Sequence, residues 1–158
     1  METVNAEMSR KVVFVSEDDD LSRAYDSMRA LEIQHVPVVR DEKVVGILSD
    51  RDVLRHAHQT RGKVDFQHIK VRDAMTTNVA VCAPSTSIGS AVDLMLERQI
   101  HCLPVIGSDQ KLVGIITSSD LLRLLRDRQW RLELPLPFKF EMPFSLMPAN
   151  LGFGSGTL

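Results

Sequence analysis

VVGILSDRDVL, at residues 44–54, is the stretch that decides the fold, because LVGIITSSDLL at residues 112–122 repeats its pattern. Each copy has an apolar run, a hydroxyl residue, two further residues, an aspartate and a second apolar run. The first run is short and rich in β-branched side chains, which is typical of a buried strand, and the second has helical spacing. Each copy therefore predicts a strand that leads directly into a helix.

Ser49 and Thr117 lie at this joint, where the first backbone N–H groups of a helix lack partners. One interpretation is a capping box, in which the hydroxyl caps the helix and the aspartate three positions later reaches back. The other is a ligand site, since free N–H groups and the positive end of a helix attract phosphate. A carboxylate there can also accept hydrogen bonds from ribose hydroxyls. The two interpretations are compatible, and this stretch alone does not decide between them.

The composition is that of an ordinary soluble globular protein, with 44% hydrophobic residues, 25% charged residues and a formal net charge of -2. The scattered Lys and Arg residues argue against a nucleic-acid surface, which normally has clustered positive charge. No apolar run approaches the roughly 20 residues of a membrane helix, and the polar start is unlike a signal peptide. We therefore expect a cytoplasmic protein that binds neither nucleic acid nor membrane. Cys82 and Cys102 are interpreted as small buried thiols.

Acidic residues and histidines form no pattern that is typical of a metal site. The carboxylates at residues 17–20 point apart, whereas metal ligands converge, so we interpret this run as a helix start with Asp19 or Asp20 as N-cap. The polar stretch at residues 56–70 is interpreted as a linker with solvated histidines (His56, His58 and His68). No nucleophile–base pair or catalytic motif is found. The sequence predicts no catalytic residues and no metal ligands, and hence no enzyme.

An internal repeat organises the chain. Pro37 corresponds to Pro104, 67 positions later, and Asp52 corresponds to Asp120, 68 positions later, after one extra residue in the second hairpin turn. Repetition of this kind indicates the fold more strongly than any local motif. Each repeat is predicted to be a β-α-β-β-α unit, and a unit of about 45 residues can bury little apolar surface alone.

We therefore predict an α/β (α+β) fold in which two repeats pack sheet to sheet with pseudo-two-fold symmetry, which brings both strand-to-helix joints to a common cleft. The predicted divisions are residues 1–70 for repeat 1 with a leader and linker, 71–128 for repeat 2, and 129–158 for a tail. Residues 1–11 are predicted to be loose or weakly helical, and residues 12–15 and 79–82 to be strands. The tail holds four of the seven Pro and four of the six Phe residues, which predicts an extended apolar segment.

Three motifs carry a family resemblance. His35-Val36-Pro37-Val38 precedes GILSDRD at residues 46–52, Cys102-Leu103-Pro104-Val105 precedes GIITSSD at residues 114–120, and Asp73-Ala74-Met75-Thr76 comes before the second copy. Each repeat resembles the CBS domain, named after cystathionine β-synthase, and the resemblance covers residues 12–126. It implies a regulatory pair that binds an adenosine-containing ligand (AMP, ADP, ATP or S-adenosylmethionine) in clefts between the repeats. The motif aspartate would hold ribose, and the hydroxyl residue and the residue before the aspartate would face phosphate.

Carried over by position, the resemblance implies two nucleotide-binding sites. One would use Ile47, Ser49, Arg51, Asp52, Gln34, Ala80, His101 and Cys102. The other would use Ile115, Thr117, Ser119, Asp120, His101, Val13, Gln34 and His35. Arg51 can pair with phosphate through two bonds, whereas Ser119 offers one hydroxyl. A purely structural role for His35 and His101 remains open.

The leading hypothesis is a stand-alone adenine-nucleotide sensor that signals through assembly or a regulated partner protein, with no required cofactor. The alternative is a ligand-free assembly module whose hydroxyl–aspartate pairs serve only as caps. We also expect a homodimer, because the helices at residues 94–96 and 120–125 carry more apolar positions than one buried stripe requires. The tail is expected to lie along a groove of that dimer or, alternatively, to dock on another protein.

Overall fold

Helices and strands alternate in two similar series. The computed structural model describes residues 2–59 and 68–127, and the tail predicted at residues 129–158 lies outside the described residues. The first series is α1 (Val4–Glu7), β1 (Val15–Ser16), α2 (Leu21–Ala30), β2 (His35–Arg40), β3 (Lys43–Ser49) and α3 (Asp50–Gln59). The second is α4 (Val71–Ala74), α5 (Ile88–Arg98), β4 (Cys102–Ile106), β5 (Leu112–Thr117) and α6 (Ser118–Asp127). The predicted fold class, an α/β chain with two such repeats, is confirmed.

Each repeat contains an antiparallel hairpin whose second strand ends at the strand-to-helix joint. In repeat 1, β2 pairs with β3, and β1 adds a parallel edge through Val15 and Val38. In repeat 2, β4 pairs with β5, and the equivalent of β1 is a single bridge from Cys82 to Val105. The strands predicted at residues 12–15 and 79–82 are therefore wrong in extent. Their first residues lie outside the sheets and line two clefts.

The hairpin turns account for the change in repeat spacing from 67 to 68 residues. Asp41 and Glu42 have positive φ values of 50° and 64°, as a two-residue hairpin turn with matching twist requires. The second hairpin closes through a longer turn, in which the Gly107 N–H donates to the carbonyl of Lys111. An ion pair between Lys111 and Glu42 joins the two turns.

Each repeat has its own core, and each core is completed by the segment that precedes the other repeat. In repeat 1, Val71 and Ala74 of α4 pack with the side chains of α2, β2 and β3. In repeat 2, Val4 and Met8, from α1 and the residue after it, pack with α5, β4 and β5. The leader, predicted to be loose or weakly helical, contains the short helix α1 and is an ordered part of the fold, with Val4 fully buried.

The two leading segments also pair with the strands that end at the joints. Thr76 exchanges two backbone hydrogen bonds with Ile47 at 2.9 Å, and Ser9 exchanges two with Ile115 at 2.9 and 3.0 Å. The preceding methionines, Met75 and Met8, lie over Gly46 and Gly114, where a Cβ atom would meet their sulfur atoms. Ser9 and Thr76 are 67 positions apart, so the repeat begins earlier than the predicted strand at residue 12.

Two local predictions need correction. Residues 56–59 belong to α3 and are not linker, and the His56 Nδ1 lies 3.0 Å from the Asp52 carbonyl oxygen one turn earlier. Residues 56–59 suggested a linker because their sequence, HAHQ, has no apolar period. Asp20 does hold the N-cap position of α2, but its carboxylate pairs with Lys70 at 2.7 Å and does not cap the helix.

The described residues also bear on membranes and metals. Within residues 2–59 and 68–127, no helix is long and apolar enough to span a membrane. In the same ranges, no group of three or more His, Cys, Asp or Glu side chains is arranged to hold a metal ion.

Candidate functional site

Two clefts open at the strand-to-helix joints, one at the start of α3 and one at the start of α6. We name them cleft 1 and cleft 2; their volumes are about 670 and 450 Å³. All eight residues predicted for the first site line cleft 1: Gln34, Ile47, Ser49, Arg51, Asp52, Ala80, His101 and Cys102. All eight predicted for the second line cleft 2: Val13, Gln34, His35, His101, Ile115, Thr117, Ser119 and Asp120. The structure thus brings each predicted set together, while their contact with a ligand stays a prediction.

The hydroxyl–aspartate pair forms the same capping box in both clefts. In cleft 1 the Asp52 Oδ2 accepts from the Ser49 backbone N–H at 3.0 Å and from its Oγ at 2.6 Å. In cleft 2 the Asp120 Oδ2 accepts from the Thr117 N–H at 2.9 Å and from its Oγ1 at 2.6 Å. Each hydroxyl in return accepts from the aspartate N–H. The capping interpretation is therefore correct at both joints.

Capping uses only one oxygen of each aspartate. The Asp120 Oδ1 accepts from Arg123 at 3.0 Å, and the Asp52 Oδ1 lies 3.9 Å from the Arg55 guanidinium. Both carboxylate side chains remain 15–18% exposed in the cleft walls. A carboxylate has about four acceptor positions, so each aspartate can cap its helix and still accept a ligand hydroxyl. The capping interpretation therefore does not exclude the ligand interpretation, which stays a prediction.

The first helical residue differs between the joints. Asp50 opens α3, and its Oδ1 accepts from the Arg51 backbone N–H at 2.7 Å. Ser118 opens α6, and the following N–H, that of Ser119, has no hydrogen-bond partner among the described residues. Cleft 1 thus has a carboxylate at its helix start, whereas cleft 2 has a hydroxyl residue and a free N–H group.

A shared wall separates the clefts, since Gln34, His35 and His101 line both. The His35 and His101 ring centroids lie 6.5 Å apart, with the rings tilted by 56°. Burial lowers the pKa of His35 below its usual value, and the carboxylate of Asp50 opposes this change. Backbone bonds tie the wall to both helix starts, because the Gln34 carbonyl accepts from Asp50 N–H and the His101 carbonyl from Ser118 N–H.

Cys102 contributes a buried thiol to cleft 1. It is 4% exposed, and burial raises the pKa of its thiol to about 12. Cys82, away from the clefts, is 7% exposed with its thiol pKa raised to about 11. The prediction of buried thiols is confirmed, and Cys102 offers the cleft an apolar surface and no thiolate at neutral pH.

Sequence reasoning missed several charged and polar residues of the cleft rims. Lys11 lines cleft 2 where its counterpart Asn78, 67 positions later, lines cleft 1. Glu32 and Gln99 are a second such pair, and both have a left-handed backbone with φ near 55° just after α2 and α5. The repeat spacing relates the two members of each pair, but no local motif marks any of the four as a cleft residue.

Comparison with known sequences identifies the family. The sequence model of the CBS domain matches residues 2–59 and 71–127. The chain belongs to the CBS domain family. The predicted resemblance is confirmed, and the family match begins ten residues before the predicted start at residue 12 because the leader belongs to the fold.

Relatives of this CBS pair include proteins of very different length. Inosine-5'-monophosphate dehydrogenase of Methanocaldococcus jannaschii is 31% identical over an alignment of 152 positions, which covers 90% of this chain and 29% of the enzyme. The CBS domain-containing protein YhcV of Bacillus subtilis is 33% identical over 122 residues, 77% of this chain and 84% of YhcV. The chain thus spans less than a third of the first curated relatives that it matches.

Among solved structures, CBSX2 of Arabidopsis thaliana in complex with AMP is similar to this chain with a TM-score of 0.67 and 27% identity. The match covers 81% of this chain and 98% of that one. It confirms the arrangement of two CBS repeats. AMP is a ligand of CBSX2.

Proposed function

We propose that this CBS pair is a regulatory module that binds adenosine-containing ligands in clefts 1 and 2. The observation that supports this most strongly is the duplicated aspartate, which caps a helix with one oxygen and lines a cleft with its side chain partly exposed. A cap needs no cavity, and the presence of a cavity at both joints favours a further role. The AMP complex of CBSX2, a structural relative, supports an adenine nucleotide as the ligand.

The residues of each joint have distinct roles in this proposal. Asp52 and Asp120 accept hydrogen bonds from ribose hydroxyls, which are charge-assisted and correspondingly strong. The helix starts of α3 and α6 face the end of the ligand opposite adenine, and at the start of α6 the backbone N–H of Ser119 and the helix dipole favour a phosphate there. Ile47 and Ile115, at the ends of β3 and β5, offer apolar surface to adenine.

Calorimetry of the purified chain against AMP, ADP, ATP and S-adenosylmethionine tests the proposal. We expect saturable binding of at least one of these ligands and no comparable binding of GMP, which controls for simple phosphate attraction. An absence of binding for all four ligands at millimolar concentration would contradict the proposal. It would favour a module that assembles without ligand and uses the capping boxes only to stabilise its helices.

We further propose that the chain forms a homodimer through its second repeat. Leu122 and Leu125 are three positions apart on α6 and so share one face of it; they are 65% and 48% exposed, and Leu96 of α5 is 71% exposed. Exposed apolar side chains that share a helix face are typical of an interaction surface. Complete burial of a fully exposed leucine contributes about 1.5–3 kcal/mol, and each of these partly exposed leucines would contribute a part of that. Sedimentation equilibrium is expected to show a species of twice 17.7 kDa at micromolar concentration. A single species of 17.7 kDa would contradict the proposal.

A further inference from the structure

The two clefts present different charges at the place where a phosphate group would approach. The Asp50 carboxylate is the first side chain of α3, and it occupies the Arg51 N–H at 2.7 Å. At the equivalent place in cleft 2, Ser118 is neutral and the next N–H, that of Ser119, has no hydrogen-bond partner among the described residues. Asp50 lines the 670 Å³ cavity itself, so its charge faces any ligand there.

Asp50 acts on a phosphate ligand in two ways. It fills a hydrogen-bond donor that the phosphate would otherwise use, and it places a like charge beside a group that carries about −1.5 to −2 at pH 7. Each effect disfavours phosphate at the start of α3 and leaves the nucleoside part of the ligand unaffected. A partly buried carboxylate held by a hydrogen bond is also screened less than a free surface charge.

Three arginines oppose this effect, but all three lie in the exposed part of the cleft. Arg51, Arg55 and Arg98 line cleft 1, and each is an exposed residue. An exposed cation contributes little to binding because solvent and salt screen it. The half-buried Asp50 therefore outweighs each of them for a phosphate that is directly at the helix start.

We infer that Asp50 is a specificity-determining residue, which makes cleft 1 select an adenosine derivative without phosphate at the helix start, while cleft 2 selects AMP. This inference rests on the proposed function, because it concerns which adenosine ligand each cleft takes. It assigns Asp50 and its counterpart Ser118 a role in ligand choice that differs from the ribose role of Asp52 and Asp120.

Reciprocal exchange of the two residues tests the inference. Asp120→Ala disables cleft 2, so that calorimetry with adenosine and AMP reports on cleft 1, and Asp50→Ser is then added in that background. Asp52→Ala disables cleft 1, and Ser118→Asp is added there. We expect the ratio of AMP affinity to adenosine affinity to rise about tenfold in the first case and to fall about tenfold in the second.

Asp50→Asn is the matched control in the cleft 1 background. Its carboxamide oxygen can still accept from the Arg51 N–H, so the variant removes the charge and keeps the hydrogen bond. A rise in the affinity ratio in Asp50→Asn, smaller than in Asp50→Ser, is expected because only one of the two effects is removed. Adenosine affinity serves as the folding control, since none of these changes touches the ribose site of the cleft that is measured.

Two failures are distinguishable. If adenosine binds every variant and the affinity ratio changes in neither exchange, the inference is overturned while the proposed function stands. If neither adenosine nor AMP binds the unmodified chain, the proposed function fails, and the inference fails with it.

Discussion

Clefts 1 and 2 are built from equivalent parts of the two repeats, yet they agree in some residues and differ in others. The residues that shape the joint agree: Ile47 with Ile115, Ser49 with Thr117, and Asp52 with Asp120. These residues fix the strand end and cap the helix, so a change in any of them would damage the fold as well as the site. The agreement therefore has a structural cause whether or not a ligand binds.

The two clefts differ at positions whose side chains neither shape the strand end nor cap the helix. Besides its capping aspartate, cleft 1 has Arg51, Arg55, Arg98 and Asp50. Besides its own, cleft 2 has Lys11, Arg123 and Glu32. Charge on an exposed rim costs the fold little. The two repeats thus keep the residues that cap their helices, while the charged residues at the cleft rims differ. We therefore expect the two clefts to prefer different ligands.

The largest expected effect concerns the leading segments that close each joint. A Cβ on Gly114 would lie 2.6 Å from the Met8 sulfur and 3.2 Å from the Ser9 carbonyl oxygen, whereas at Gly46 only Met75 side-chain atoms are that close. A flexible methionine can move more easily than backbone, so Gly114→Ala is expected to cost more than Gly46→Ala, at about 1–3 kcal/mol. Urea unfolding measures both; an equal or larger cost at Gly46 would contradict the comparison.

The next effect concerns the two capping boxes. Ser49→Ala and Thr117→Ala each remove the hydroxyl that bonds the aspartate carboxylate and N–H. Because the bonds are the same in both joints, each variant is expected to lose about 1 kcal/mol of unfolding free energy. Thermal melts without ligand check this. A loss of stability in only one of the two variants would show that the two capping boxes do not stabilise the fold equally.

A smaller effect is expected for the rim cation of cleft 1. Arg51→Ala should weaken AMP or ATP at cleft 1 by a factor of about two to five, as expected for an exposed charge. Adenosine affinity should stay nearly unchanged, and Ser119→Ala in cleft 2 is the matched control. Calorimetry at two salt concentrations measures the effect. Equal losses for adenosine and its phosphates would show that Arg51 stabilises the cleft and does not contact phosphate.

The smallest effect concerns the shared wall and pH. Burial lowers the pKa of His35 below 6.5, with Asp50 and Asp52 opposing and His101 and Arg51 adding to the change. Above pH 6.5 the ring is neutral in both states; as pH falls below 6.5 the unfolded chain binds a proton first, so stability is lost. His35→Gln should therefore lose less stability than the unmodified chain between about pH 7 and 5. An identical pH dependence would contradict this account of His35.

Much of the fold could be predicted from the sequence because the repeat places each element twice. The hairpins and the helices after Ser49 and Thr117 were predictable, since their apolar runs are bounded by turns and caps. The ordered leader was not, because Val4 and Met8 are too few apolar residues to show a period. Their burial comes from the core of the other repeat, a long-range contact that a local pattern does not contain.

The candidate site was likewise predictable only in part. Family motifs located the joint residues and the wall residues Gln34 and His101, all of which line the clefts. Asp50 was visible in the sequence but had no predicted role, because the bond from Arg51 N–H to its carboxylate is a matter of rotamer and helix geometry. Lys11 and Glu32 were missed because they are outside the motifs in the sequence, and only the folded chain brings them to the rim of cleft 2.

The most direct test of the central claim is calorimetry of AMP binding to the unmodified chain, Asp52→Ala, Asp120→Ala and the double variant. Loss of a charged hydrogen-bond partner should cost about 1.5–3 kcal/mol, a tenfold to hundredfold loss of affinity in the cleft concerned. Each single variant is expected to affect one cleft and to leave the other measurable, and the double variant to affect both. Unchanged AMP affinity in the double variant, with its fold verified by a thermal melt, would contradict the assignment of both aspartates as ribose anchors.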